Sequence, residues 1–270
     1  MRYEPIKKSI GKIISGSPAL RKILYFLMDL LLLRTWHVKR ALWRIARHLP
    51  EKSRILDAGS GLGQYTWRIS RMNRNWRIKS VDISAEQTGN SREFFRKSGL
   101  EGRVEFQILD LTCLNEKECY NLILCVDVME HIHDDIQVFR NFYTALKPGG
   151  FLLISTPSDM GGSDVHGDNE ESFIDEHVRN GYGIDEITSK LRSAGFTGIN
   201  TRYTYGRPGS LSWRLSMKYP VKMLNISYLF FILLPFYYLI FFPFSLILNT
   251  FDLYKDHKTG TGLLVTARKK

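Results

Sequence analysis

Between residues 51 and 210 short apolar runs alternate with longer stretches whose apolar residues recur every three or four positions. That is the pattern of strands and helices alternating on a parallel α/β sheet. Residues 53–57 (SRILD) read as the first strand, and residues 64–71 open the first helix. Strands follow at 76–82, 103–110 and 120–126, with helices at 85–97 and 134–146. The Lys147-Pro148-Gly149-Gly150 turn is expected to stop the second of these helices and start a fifth strand at 151–155. A helix at 183–194, a sixth strand at 196–205 and a final strand at 262–268 (GLLVTAR) complete a seven-stranded sheet with helices on both faces.

Two regions depart from this alternation. Residues 1–50 read as two or three amphipathic helices, basic on one side and apolar on the other. Residues 223–251 carry no charged side chain over twenty-nine positions. A charge-free stretch of this length on a domain whose core already lies in the sheet points to membrane contact. The chain therefore divides into basic N-terminal helices (1–50), a sheet-forming core (51–210), a hydrophobic membrane-associating insertion (211–254) and a returning last strand (255–270).

Charge sharpens that division. The formal net charge is +11, but residues 1–50 carry eleven Lys/Arg against two acids, and residues 187–251 carry seven and none. The middle, 51–186, is acidic, with twenty-three Asp/Glu against fifteen Lys/Arg. A basic head and tail around an acidic body point to docking on something anionic, a membrane surface or a nucleic acid. Cys113, Cys119 and Cys125 are odd in number and lack C-x-x-C spacing, which excludes a disulfide framework and a cysteine zinc site. The first apolar run, 23–33, contains Asp29 and leads to no small-residue cleavage site, so the body is expected in the cytosol.

The most informative local motif is Asp57-Ala-Gly59-Ser-Gly61-Leu-Gly63, set between a strand and a helix. Glycines there let the backbone turn sharply and come close to a ligand. Position 64 is Gln, so the dinucleotide pattern G-x-G-x-x-G is not met, and Asp57 would repel a diphosphate. An acid at that place suits a cationic, amino-acid-bearing ligand. Asp82 and Asp110 end the second and third strands; the first suits the hydroxyls of a ribose and the second lies where an adenine amino group could be read.

These stretches, ILDAGSGLG, VDIS, ILDLT, LCVDVMEHI and LKPGGFLLISTP, resemble in order and spacing the motifs of class I S-adenosylmethionine-dependent methyltransferases. The resemblance implies a Rossmann-like sheet whose last strand is antiparallel and inserted beside the sixth. It implies S-adenosyl-L-methionine as cofactor, held by Asp57, Gly59, Gly61, Gly63, Asp82, Ile83, Asp110, Leu111 and the backbone at Val126.

Methyl transfer to a hydroxyl or an acidic carbon needs a group that takes a proton. His131, His133, His166 and His177, together with Asp127 and Glu130, are the candidates; His131, His166 and His177 are the catalytic residues expected, weighed against histidines with no catalytic role. Asp127-Val-Met-Glu130-His131 resembles the E-x-x-E-H stretch of ubiquinone-biosynthesis O-methyltransferases, which implies a divalent metal. The alternative, preferred because the first acid is Asp, has Glu130 and His131 capping a helix and shaping the cofactor pocket, with no metal. The stretch after the fourth strand lacks the proline and aromatic residue of base-flipping amino methyltransferases, which lowers a nucleic-acid acceptor. The function expected is methyl transfer to a small, hydrophobic or lipid-linked, quinone-like acceptor at the cytoplasmic membrane face. A nucleic-acid methyltransferase and a non-catalytic membrane protein of the same fold are the alternatives. Residues 223–251 are expected to form a shallow re-entrant or interfacial hairpin, not a span, bent at Pro235 and Pro243, making the protein monotopic. Lys7, Lys8, Lys12, Arg21 and Lys22 are expected to add attraction to anionic lipid.

Overall fold

A computed structural model describes residues 17–161, 178–227 and 229–270. Two helices, α1 (Pro18–Leu31) and α2 (Leu33–Ala46), precede β1 (Arg54–Ala58), α3 (Gln64–Met72), β2 (Arg77–Asp82), α4 (Ala85–Lys97), β3 (Val104–Ile108) and β4 (Tyr120–Val126). Then come α5 (Asp135–Ala145), β5 (Leu146–Pro157), α6 (Ile184–Ser193) and β6 (Thr197–Thr204). The chain ends with α7 (Arg207–Trp213), α8 (Tyr219–Ile226), α9 (Phe230–Tyr254) and β7 (Gly262–Arg268).

The strands form one sheet in the order β3-β2-β1-β4-β5-β7-β6, parallel except for β7, which runs antiparallel to both neighbours. β1 and β4 sit at the centre and are covered on both faces, which is why they read as unbroken apolar runs. On β4, Ile123 and Cys125 pack with Val138 and Phe139 of α5, whereas Leu122 and Leu124 pack with Val38 and Leu42 of α2. Helix α2 is therefore part of the sheet's packing.

The Lys147–Gly150 stretch corrects one expectation. It stops α5, but the extended backbone begins at once: Tyr120 pairs with Leu146, then Leu122 with Phe151, so the four residues form an irregularity inside β5. Gly149 donates to the carbonyl of Lys269 and Lys269 donates to that of Gly150, which ties the irregularity to the end of β7.

The apolar insertion differs more. Residues 230–254 form one continuous helix through both Pro235 and Pro243, so the bend expected there is absent. Residues 223–251 therefore do not fold back on themselves; α9 instead forms a helical hairpin with the preceding segment, 207–226. That arm is helical throughout and includes one wide turn at Arg214–Lys218. Proline explains the wide turn: Pro220 has no N–H for the carbonyl of Ser216 four residues earlier. Tyr238 donates its hydroxyl to that carbonyl at 2.8 Å, and Tyr237 donates to the carbonyl of Leu215 at 2.8 Å. Small residues Gly209, Ser212 and Ser216 face α9 and let the two arms approach closely, a packing common between helices in lipid.

The foot of the hairpin is fixed by Asp252, which is fully buried. Its carboxylate accepts from the backbone N–H of Tyr205 (3.2 Å) and of Gly209 (3.0 Å), from His37 Nε2 (2.9 Å), and lies 3.1 Å from His257 Nε2. Arg202 donates to His37 Nδ1 at 2.7 Å. Because a guanidinium only donates, Nδ1 is the acceptor and the proton sits on Nε2, giving a neutral imidazole. Burial keeps that imidazole below its ordinary pKa. Burial alone would raise the Asp252 carboxyl, but His37 and the neighbouring His257 hold it below its ordinary value.

Candidate active site

The carboxyl ends of β1, β2 and β4 converge at the place where open parallel sheets bind ligands. Gly59, Gly61 and Gly63 have φ of +76°, +50° and +78°, the left-handed region that favours glycine. At Gly59 the reason is also steric: a Cβ there would come within 2.2 Å of Val128 Cγ2. The loop is held from beneath, Gly59 and Ser60 both donating to the carbonyl of Val81. It is also held from the side: Asp82 accepts from the N–H of Gly61 (2.8 Å) and of Ser84 (2.9 Å). Each carboxylate oxygen of Asp82 retains a lone pair, and the residue is half-exposed.

Asp57 is buried at the base of the loop, with 2% exposure. It accepts from Thr66 Oγ1 at 2.5 Å, and Thr66 in turn meets Ser80 Oγ at 2.8 Å. Burial raises its carboxyl to about 6, against the lowering effect of the Thr66 bond. Ile83 is exposed beside Asp82. Asp110 is exposed two residues past the end of β3 and accepts from Thr112 N–H at 2.9 Å, while Leu111 is buried beneath it. Val126 is half-buried at the end of β4. All nine residues expected at a cofactor site thus lie on one edge of the sheet or in the loops that leave it.

The turn after β4 is more crowded than its sequence indicated. Asp127 adopts a left-handed backbone (φ +51°) and forms an ion pair with Arg34 at the start of α2. The N–H of Arg34 donates to Tyr205 Oη at 2.9 Å, so the cluster reaches the chain segment that begins the hairpin. Glu130 is buried, accepts from Thr156 Oγ1 at 3.0 Å, and is pushed above its ordinary pKa chiefly by burial. Asp134 caps α5 by accepting from Gln137 N–H, so the helix cap expected of Glu130 and His131 belongs to a different residue. His131 is half-buried on the short turn Met129–His131. His166 and His177 lie outside the described residues. Among the described residues no group of three or more His, Cys, Asp or Glu is arranged to hold a metal ion.

Arg21, expected on the lipid-facing side of the N-terminal helices, is turned inward. It is buried and donates to the carbonyls of Leu62 (2.6 Å) and Asn90 (2.8 Å) and to Ser91 Oγ (2.6 Å). Helix α1 is thereby clamped over the glycine loop, because a buried guanidinium needs its donors satisfied. Lys7, Lys8 and Lys12 lie outside the described residues. Arg21, Arg34 and Tyr205 are site residues that sequence reasoning missed; their partners are distant in sequence, and only a fold brings them together.

A methyltransferase-domain family matches residues 33–201, from the first residue of α2 into β6. The chain belongs to that family, and its sheet is the Rossmann-like sheet of the class I S-adenosylmethionine-dependent methyltransferases. It is 26% identical over 111 residues to a ubiquinone biosynthesis O-methyltransferase of Xanthomonas axonopodis pv. citri, covering 41% of this chain and 46% of that protein. It is 27% identical to phosphoethanolamine N-methyltransferase 1 of Arabidopsis thaliana, covering 56% of this chain and 30% of that one. The chain thus spans less than half the length of these curated relatives, 46% of one and 30% of the other. Among solved structures, a phosphoethanolamine N-methyltransferase 2 of Haemonchus contortus superposes with a TM-score of 0.58 at 18% identity, covering 85% of this chain and 52% of that one.

The glycine loop and Asp82 fit S-adenosylmethionine, the cofactor of this family. The backbone at Gly61 leaves room for a ligand, since a Cβ built there would meet only the end of the Gln87 side chain at 3.2 Å.

Proposed function

We propose that this protein transfers the methyl group of S-adenosylmethionine to a small hydrophobic or lipid-linked acceptor at the cytoplasmic face of a membrane. When bound, the cofactor supplies an electrophilic methyl on a sulfonium. The chain's part is to hold and orient, since an in-line displacement is accelerated mainly by positioning. Gly59, Gly61 and Gly63 cradle the ligand backbone, Asp82 accepts from ribose hydroxyls, and Asp110 and Leu111 flank the adenine. His131 takes the acceptor's proton on a ring nitrogen, and the Arg34–Asp127 pair borders the acceptor side. Relatives named for ubiquinone biosynthesis and for phosphoethanolamine methylation support a small-molecule acceptor.

One observation carries the membrane assignment. The 25-residue helix Phe230–Tyr254 is apolar, yet only 6% of its most apolar eighteen-residue window is buried. Ile232, Phe236, Ile240, Ile247, Phe251 and Tyr254 make one exposed stripe along it, far more apolar surface than a soluble monomer leaves in water. At about 1.5 Å per residue the helix is long enough to cross a bilayer. The other arm, however, carries Arg214, Lys218 and Lys222, and β6 and β7 belong to one sheet. An in-plane hairpin with the stripe immersed satisfies both. Strand β6 runs parallel to β5, so its end and the hairpin's foot lie on the same sheet edge as the glycine loop. A hydrophobic acceptor would then pass from lipid to the site without crossing water.

The test is fractionation of the full chain with topology labelling, and comparison of lipid extracts from cells with and without the gene. Membrane association, a C-terminus labelled only from the cytosol and a lipid species lacking one methyl group in the deletion strain are expected. A protein fully soluble without detergent, or a C-terminus exposed outside, would overturn the membrane assignment.

A further inference from the structure

Beside the foot of the hairpin, α2 and the last turn of α9 enclose a groove of about 470 Å³. Lys39, Arg40, Arg44 and Arg47 line it together with Trp43 and Tyr254, and among the described residues no acidic side chain does. The positions 40, 43, 44 and 47 follow helical spacing, so they share one face of α2. Inward-facing Val38, Leu42 and Ile45 on the opposite side fix that face outward, with the helix locked on the sheet.

We propose that this groove is a binding site for the phosphate headgroup of an anionic phospholipid in the bilayer that receives the hairpin. This deepens the membrane assignment above and rests on it. Charge complementarity carries the first half of the argument. Four cations converge on a concave surface to which no carboxylate among the described residues contributes, and guanidinium groups match phosphate oxygens in geometry as well as charge. Arg40 already spends part of its guanidinium on the carbonyl of Leu253 and stacks 4.3 Å over the Tyr254 ring, so it forms the wall. Arg44 and Arg47 are exposed and supply the free donors. Partial burial lowers the pKa of Lys39.

Continuity carries the second half. Tyr254 is both the last residue of the exposed apolar stripe and a wall of the groove. The surface therefore passes from Phe and Ile, through a tyrosine and a 60%-exposed Trp43, to arginine within a few residues. That order of apolar, aromatic and basic groups matches the layering of acyl chain, interface and headgroup in a bilayer. A soluble anionic ligand would account for the cations but not for the apolar stripe running into them.

The test uses the full chain with vesicles of phosphatidylcholine alone and vesicles in which part of it is replaced by phosphatidylglycerol. Three variants are compared: Arg44→Gln/Arg47→Gln in the groove, Arg74→Gln/Arg96→Gln as an equal charge change elsewhere on exposed surface, and Phe236→Asp/Ile247→Asp on the stripe. The groove variant should lose about thirtyfold in affinity for anionic vesicles, taking about a kilocalorie per cation at the surface, while its binding to neutral vesicles stays at the wild-type level. The control pair should lose less than threefold, and unchanged thermal unfolding should accompany both. Equal losses from groove and control variants would overturn the site in favour of diffuse charge. Tighter binding of a DNA duplex than of anionic vesicles through Arg44 and Arg47 would overturn the lipid assignment. If the stripe variant binds both vesicle types like wild type, the hairpin immersion fails, and the groove stands or falls by its own pair of variants.

Discussion

Residues 57–63 and residues 230–254 differ in what surrounds them. In the glycine loop nearly every polar group has a protein partner: Val81 takes two loop N–H groups, Asp82 takes a third, and Arg21 closes the carbonyl of Leu62. In α9 the hydroxyls of Tyr237 and Tyr238 are satisfied by the first arm, and most apolar side chains are left bare. The loop is a place where the fold has removed all freedom except the space a ligand would fill. The stripe is a surface that the described residues leave without cover. The difference teaches that one edge of this sheet leaves room for a small molecule, whereas the neighbouring projection presents apolar side chains that the described residues leave uncovered.

The largest effect should come from breaking the stripe. On the proposed membrane assignment, Phe236→Asp with Ile247→Asp removes two lipid-facing side chains worth about 2 kcal/mol each and adds two charges to the same face, so affinity for neutral vesicles should fall on the order of a thousandfold or more. Both positions are more than half exposed, and folding free energy should change by less than about 1 kcal/mol. Vesicle sedimentation alongside urea unfolding would read the two separately; a stripe variant that unfolds instead would mean that the helix is a buried core element. Next in size is the loop. Gly61→Val puts a branched side chain at φ +50° and into the ligand's space, and should abolish cofactor binding by calorimetry. Asp82→Ala should weaken it by about 1–3 kcal/mol. Unchanged affinity in both variants would remove the cofactor from this edge.

How much of each region could be read in advance follows from where its determinants sit. The glycine loop, Asp82 and the strand order rest on local spacing, and residues 85–97, 120–126 and 262–268 form the elements expected with the same bounds. The hairpin was legible as apolar but not as a shape. Its geometry depends on Ser216, freed by Pro220, meeting Tyr238 some twenty residues on. Pro235 and Pro243 misled because the helix around them is long, apolar and supported by its partner arm, conditions in which proline is tolerated. Arg21 misled for a related reason: on α1 it is a cation among cations, and only its contacts 41 and 69 residues away turn it inward. The Arg34–Asp127 pair and the Asp252 cluster are equally long-range, with partners up to 215 residues apart.

The Asp252 cluster offers the next test, because it joins the two regions: Tyr205 touches Arg34 of the site through its hydroxyl and Asp252 of the hairpin through its N–H. Asp252→Ala leaves the Tyr205 and Gly209 N–H groups and His37 without their acceptor inside the protein. The loss should be about 3 kcal/mol in urea unfolding, the scale of breaking a buried polar network. A change below about 1 kcal/mol would mean that the foot of the hairpin is held by packing alone.

The smallest effect has the opposite sign. Asp57 is buried with its folded pKa raised to about 6, above the ordinary carboxylate range, so the folded protein binds more protons than the unfolded chain between roughly pH 4 and 6. The stability associated with the neutral carboxyl is complete below that window and is lost as pH rises through it. Ionised Asp57 therefore costs stability at neutral pH. Asp57→Asn keeps an oxygen that can accept from Thr66 and removes the charge. It should stabilise the protein by about 2 kcal/mol at pH 8, with the gain vanishing by about pH 4, as read by urea unfolding across that range. If the carboxylate is there to meet the cationic end of the cofactor, the same variant should bind S-adenosylmethionine more weakly while being more stable, a trade typical of strained functional groups. Higher stability with unchanged cofactor affinity would assign Asp57 to the support of the loop alone; no stability gain at pH 8 would show that burial does not raise the carboxyl above its ordinary value.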